Sequence, residues 1–215
     1  MTSIATIGAG NIGSNVAKAA VQAGHSVVVS NSRGPDTLTD LVAELGHNAR
    51  AATIEDAARS GELVLIAIPL ITVFDLRPDL FDGSIVLDAN NYYPQRDGRI
   101  ADLDNNEATT SELVQRHLSG SRVVKVFNHI NAKEIPADGL PTGSPGRRAL
   151  AIAGDDADAK AEVAGFLDTL GFDAVDLGPL SESWRIERDT PGYGARLTAE
   201  QLRETVASTE RVRQI

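Results

Sequence analysis

The sequence predicts an α/β fold, a doubly wound and mostly parallel sheet with helices on both faces, followed by a short C-terminal helical arm. Three observations predict it. Strand-length apolar runs alternate with helix-length amphipathic segments along most of the 215 residues. The first run, residues 4–7, passes directly into Gly8-Ala9-Gly10-Asn11-Ile12-Gly13. A later run, residues 63–68, is almost unbroken in its apolar character and stops at Pro69, as suits a strand buried on both faces.

The elements follow in order. Ile4, Ala5, Thr6 and Ile7 form a short central strand. A helix follows the glycines, because Ile12, Val16, Ala19, Ala20 and Ala23 recur on one helical face, and Gly24 is placed to end it. Residues 25–30 read as the second strand, 36–45 as a helix, 48–52 as a short strand and 54–60 as another helix. The run at 63–68 lies across the point of strand reversal from the first strand. A helix over 72–80 leads to a strand at 85–88, and after an irregular stretch residues 111–118 look helical. Strands at 123–127, 149–153 and 174–177, with a helix at 157–170, extend the sheet. Residues 1–180 are expected to form one domain and 181–215 the arm, whose final helix opens with the capping pair Thr198 and Gln201 and carries a sparse stripe of Leu202, Val206 and Val212.

A strand, a GxGxxG turn and a helix together point to a dinucleotide site. The first glycine permits the tight turn, the second admits a pyrophosphate beside the backbone, and the third lets helix pack on strand. Unpaired N–H groups at the helix start then favour phosphate. The second strand ends in Ser30-Asn31-Ser32-Arg33, where a protein selective for NAD usually carries an acid. Ser32 and Arg33 offer instead a hydroxyl and a forked cation suited to a 2′-phosphate, so NADP(H) is the expected cofactor of this NAD(P)-binding Rossmann fold. The cofactor-binding residues are therefore Gly8, Ala9, Gly10, Asn11, Ile12, Asn31, Ser32 and Arg33, joined at the strand ends by Ala67, Ile68, Pro69, Ala89 and Asn128.

Composition narrows the class. The chain has no cysteine, which excludes disulfides and thiol chemistry. A net charge of −10 argues against nucleic acid or an anionic membrane as partner. With no leader and no apolar run of spanning length, a cytoplasmic protein is expected. Four scattered histidines form no metal-ligand pattern.

The rim of the site also contains Asn90, Asn91, His129 and Asn131. Asn128 and Asn131 suit either hydrogen bonds to a carboxamide or substrate, or caps of the following helix. His129 is read as a loop histidine, with substrate contact or proton delivery as the alternative. Residues 90–107 form a long connection in which Tyr92 or Tyr93 is available to stack on a ring, while 102–107 reads as a solvated acidic turn. The chain has no room for a large helical substrate domain. Its hydride acceptor is expected to be held by the sheet domain, by residues 90–107 and 136–148, and by a second subunit. A homodimer is the expected assembly, because the Leu202/Val206/Val212 stripe would gain from a partner surface and Trp184 and Tyr193 are interface-type residues, with a monomer whose arm wraps back over its own sheet as the alternative.

Taken in combination, Ile7-Gly8-Ala9-Gly10-Asn11-Ile12-Gly13, Ala23-Gly24-His25, Ser32-Arg33, Ala67-Ile68-Pro69, Val124-Lys125-Val126-Phe127-Asn128, Ala153-Gly154-Asp155-Asp156 and Asp176-Leu177-Gly178-Pro179-Leu180 resemble the NADP oxidoreductases dependent on coenzyme F420. The same family is related to the N-terminal cytosolic domain of transmembrane ferric reductases. The resemblance covers residues 3–187 and implies hydride transfer between NADP(H) and a flavin-like small-molecule acceptor such as deazaflavin F420. A flavin or ferric reductase and a non-catalytic NADP(H) sensor are the alternatives. No general acid or base is assigned. After Gly178-Pro179-Leu180 the sequence departs from the family pattern, with Ser183-Trp184-Arg185-Ile186 in place of an apolar helix.

Overall fold

The computed structural model describes residues 2–211, so Met1, Val212 and Ile215 lie outside the described residues. Among the described residues eight strands form one sheet: β1 (Ser3–Ile7), β2 (Ser26–Ser30), β3 (Ala49–Ala51), β4 (Leu63–Ile66), β5 (Ile85–Asp88), β6 (Arg122–Lys125), β7 (Ala149–Gly154) and β8 (Asp173–Asp176). Their spatial order is β3-β2-β1-β4-β5-β6-β7-β8, and strand order reverses between β1 and β4. All neighbouring strands are parallel except β6 and β7, where Lys125 faces Ala153 in antiparallel register.

Helices on both faces explain the apolar strands. Leu63 and Leu65 point into a core under α1 (Asn11–Gln22) and α8 (Ala157–Thr169), together with Val16, Ala20, Val163 and Phe166. Val64 and Ile66 point into a second core under α3 (Ile54–Ser60) and α7 (Thr110–His117), together with Ala57, Ala58 and Val114. Period-two alternation therefore remains, but both alternating sets are apolar.

Two of the expected helices are each divided in the structure. Residues 36–45 become a 3₁₀ turn, Pro35–Leu38, followed by α2 (Thr39–Leu45). Residues 72–80 become α4 (Leu70–Val73) and a 3₁₀ turn, Pro78–Phe81, because a proline lacks the N–H that would continue a helix through it.

The connection at 90–107 is ordered by side chains rather than left as a loop. It contains α5 (Pro94–Asp97) and α6 (Ala101–Asp104). The Tyr92 ring is fully buried, its hydroxyl donating to Asp104 Oδ1 at 2.9 Å and accepting from Ile100 N–H at 3.0 Å. Tyr92 is thus unavailable for ring stacking. The acidic turn is not merely solvated either, since Asp104 pairs with Arg99 at 2.7 Å and Asp102 with Arg116 at 2.8 Å.

The arm folds onto its own chain. A 3₁₀ segment, Leu180–Ile186, precedes α9 (Ala199–Ala207), whose capping box joins Thr198 and Gln201. Leu202 and Val206 pack with Ile186 against Ala149, Ala151 and Val175 of β7 and β8. Leu202 and Val206 therefore have their partner surface within the chain. Among the described residues no helix is long and apolar enough to cross a membrane.

Candidate functional site

The glycine turn derives its shape from two close approaches. Gly8 sits at φ +102°, and a Cβ there would lie 2.5 Å from the Ala67 carbonyl oxygen. A Cβ on Gly13 would stand 1.8 Å from the carbonyl oxygen of Gly8. Gly10 differs, because its Cβ position has no protein atom within 4 Å and opens to the cleft.

Helix α1 begins at that opening without a capping side chain, and its first turn holds no acid. In contrast α3, α7, α8 and α9 are each capped by a side chain, those of Thr53, Thr109, Asp156 and Thr198. The free N–H groups and partial positive charge of α1 face the space that Gly10 leaves.

Beyond the end of β2, Asn31 shapes the next loop. Its Oδ1 accepts from Arg33 N–H at 2.9 Å, and its Nδ2 donates to Thr37 Oγ1 at 2.9 Å. Ser32 and Arg33 are exposed, and the Arg33 guanidinium makes no ion pair among the described residues. Gly8, Ala9, Gly10, Asn31, Ser32 and Arg33 line one cavity of about 660 Å³ with Ala67, Ile68 and Pro69. The same three residues border a second cavity of about 440 Å³, which also takes in Asn11, Ile12, Ala89 and Asn128. The two cavities adjoin along the carboxyl ends of the strands at the reversal point, with Ala67, Ile68 and Pro69 as their common border. Such sheets bind ligands at this place.

The second cavity brings together residues from distant parts of the sequence. Tyr93 and Tyr193 meet there with their hydroxyl oxygens 2.9 Å apart. The guanidinium carbons of Arg96 and Arg188 each lie 4.7 Å from the Tyr93 ring centroid. Arg96 forks onto Asp97 at 2.9 and 2.8 Å, and Asp97 accepts from Tyr93 N–H at 2.9 Å. Burial, reinforced by the bond to Tyr93, raises the Tyr193 phenol well above the ordinary tyrosine value.

Several expected roles change in this geometry. Asn128 does not cap a helix: its Nδ2 donates to Asn91 Oδ1 at 3.1 Å and to Ile186 O at 2.8 Å, leaving no amide hydrogen for a ligand. Phe127, held at φ +62°, turns the chain out of the sheet to place it. Asn131 does cap, accepting from Lys133 N–H at 3.1 Å ahead of a 3₁₀ turn, Ala132–Glu134. His129 is buried away from the cleft. Its Nε2 accepts from Ala151 N–H at 3.1 Å, so Nδ1 carries the proton and donates to Asn128 Oδ1 at 3.2 Å. Burial and the charges of Arg148 and Lys125 depress its pKa to about 3, so it stays neutral and structural.

Residues 136–148 line neither cavity. Arg148 ties them down instead, through Glu134 at 2.6 Å and Asp138 at 2.8 Å. Beneath the rim lies a buried charge pair: Lys125 Nζ donates to Asp88 Oδ2 at 3.3 Å and to Thr110 Oγ1 at 2.7 Å. Thr110 in turn donates to Glu187 Oε1 at 2.7 Å. Asp88 Oδ1 accepts from Asn90 N–H at 2.9 Å and so fixes the start of the rim.

An open sheet with an uncapped, glycine-led helix at its reversal point defines a dinucleotide-binding protein of the Rossmann class. The family model of the NADP oxidoreductases described as coenzyme F420-dependent matches residues 3–92 of the chain. Protein SMa0349 of Sinorhizobium meliloti, a hypothetical protein, is 33% identical with a TM-score of 0.80, over 92% of this chain and 96% of its own. A candidate F420-dependent NADP reductase of Arthrobacter sp. FB24 is 28% identical with a TM-score of 0.73, over 85% of this chain and 87% of its own. The metalloreductase STEAP3 of Rattus norvegicus is 28% identical over 186 residues, 86% of this chain. The chain spans 35% of that relative's length.

Proposed function

We propose that the protein is an NADP(H)-dependent oxidoreductase that passes a hydride between nicotinamide and a flavin-like acceptor, deazaflavin F420 being the expected one. One observation carries the reading. A cavity at the uncapped helix N-terminus, lined by Arg33, adjoins a polar chamber of about 440 Å³ across the shared residues Ala67, Ile68 and Pro69. Residues 8–12 would hold the pyrophosphate, Ser32 and Arg33 the 2′-phosphate, and residues 67–69 with Ala89 the nicotinamide riboside. The bound nicotinamide supplies the hydride chemistry, and the chain supplies position and polarity.

A second reading, with a metal ion as acceptor, is favoured by the likeness to the rat metalloreductase. Loss of NADPH absorbance with F420, free flavin, a quinone or a ferric chelate, with NADH in parallel, tests both. Oxidation of NADPH by none of these acceptors would refute the oxidoreductase reading.

A further inference from the structure

The acceptor chamber contains an unspent proton. Tyr93 and Tyr193 carry two hydroxyl hydrogens, and the bond between their oxygens, 2.9 Å long, uses one. The other has no acceptor among the described residues. Both side chains are partly open to the chamber that also touches Ala67 and Ala89 at the strand ends.

Their placement is held from several directions. Tyr193 N–H donates to Thr190 O at 3.1 Å, and Gly194 N–H donates to the carbonyl of buried His129 at 2.9 Å. Arg188 Nη1 donates to Tyr92 O at 3.0 Å, which keeps its guanidinium over the Tyr93 ring. The charged groups around the pair are Arg96 and Asp97 from α5, and Arg188 and Asp189 from the arm.

Resting on the oxidoreductase reading above, we propose that the Tyr93–Tyr193 hydroxyl pair anchors and protonates an organic two-electron acceptor, one whose oxygen or nitrogen gains negative charge as its carbon receives a hydride. Reduced nicotinamide, when bound, supplies that hydride with both electrons of its C4–H bond. As the acceptor carbon forms the new C–H bond, a π pair shifts to the conjugated heteroatom, and the free tyrosine hydroxyl transfers its proton there. The residual negative charge settles on Tyr93, whose ring lies against two guanidinium groups, until water returns one proton. A metal ion accepting single electrons has no use for this donor. The pair therefore favours flavin-type, quinone or carbonyl acceptors over ferric complexes.

The test compares the unsubstituted protein with Tyr93→Phe and Tyr193→Phe, using NADPH with free flavin, a quinone, F420 and ferric citrate. The unsubstituted protein is expected to reduce at least one organic acceptor faster than ferric citrate. Each variant is expected to bind NADPH unchanged by fluorescence titration yet lose on the order of a hundred-fold in organic-acceptor turnover, the usual scale for removing a proton donor. Phenolate absorbance gives a readout independent of turnover, because the chain has three tyrosines. The last phenol to ionise should vanish in Tyr193→Phe and move toward the ordinary tyrosine value in Tyr93→Phe, where its hydrogen-bond partner is gone.

Rates within about threefold of the unsubstituted protein overturn the assignment, given that general acids usually contribute far more. So does a loss of NADPH binding that parallels the loss of rate in both variants, which would make the pair a structural pin. Reduction of ferric citrate alone refutes the acceptor class. Failure of the unsubstituted protein to bind NADPH refutes the oxidoreductase reading beneath it.

Discussion

Two glycines separated by three positions should respond to substitution in opposite ways. At Gly10, with φ −78° and ψ −162°, the backbone is extended and suits a β-branched residue, and the Cβ position has no protein atom within 4 Å. Gly10→Val should therefore cost folding no more than about 1 kcal/mol, the scale of a poorer helix N-cap. Its isopropyl group would fill the pyrophosphate path, so NADPH affinity should fall more than about 100-fold, equivalent to over ~2.7 kcal/mol. At Gly13 a Cβ stands 1.8 Å from a backbone oxygen that cannot swing away as a side chain would. Gly13→Ala should cost ~3 kcal/mol, the upper end of overpacking effects, and lower the melting temperature by roughly 6–12 °C for a chain of this size. Thermal melts by circular dichroism without nucleotide, paired with fluorescence titration of NADPH, separate the two. If folded Gly10→Val binds NADPH normally, or if both variants melt alike, the account of the turn is wrong.

Three further outcomes are expected. Unsubstituted protein should bind NADPH more tightly than NADH, and Arg33→Ala should reduce the preference by ~1–3 kcal/mol, the range of a charge-assisted hydrogen bond; equal affinities in the unsubstituted protein would exclude Arg33 as the selector. Because His129 is neutral when folded and its pKa falls to about 3, its contribution to stability is complete above the unfolded value of about 6.5 and is lost as pH falls toward 3. Urea unfolding of the unsubstituted protein should therefore weaken by up to ~1.4 kcal/mol per pH unit from this group within that window, and His129→Asn should flatten the dependence. Lys125→Met strands the buried Asp88 carboxylate and should cost ~3–5 kcal/mol, measurable as a lower urea midpoint; a midpoint shift below ~1 kcal/mol would show that the pair is not buried together.

The strands and the glycine turn are legible because they rest on short-range chemistry: unbroken apolar runs, a fixed glycine spacing and a missing acid after β2. The acceptor chamber is not. Tyr93 and Tyr193 stand 100 positions apart and meet only because the arm folds back along the sheet. Residues 94–104 carry no helical periodicity; the first of their short helices is held where Asp97 accepts from Tyr93 N–H and Arg96, and the second where the Tyr92 hydroxyl and Arg99 grip Asp104. One signal was present but unread. Lys125 and Asp88 are fully buried charges at the ends of their strands, and such charges are expected to be paired. The register that sets Asp88 opposite Lys125 is the structural reason they meet.

The arm's return to its own sheet gives the cleft two separately adjustable ends. Among the described residues, those lining the cavity at the glycine turn all lie before position 77, whereas Tyr193 from the arm lines the other cavity. On the proposed function, sequence change between residues 187 and 194 would re-shape the acceptor chamber, while the choice of dinucleotide would rest with the glycine turn and Arg33.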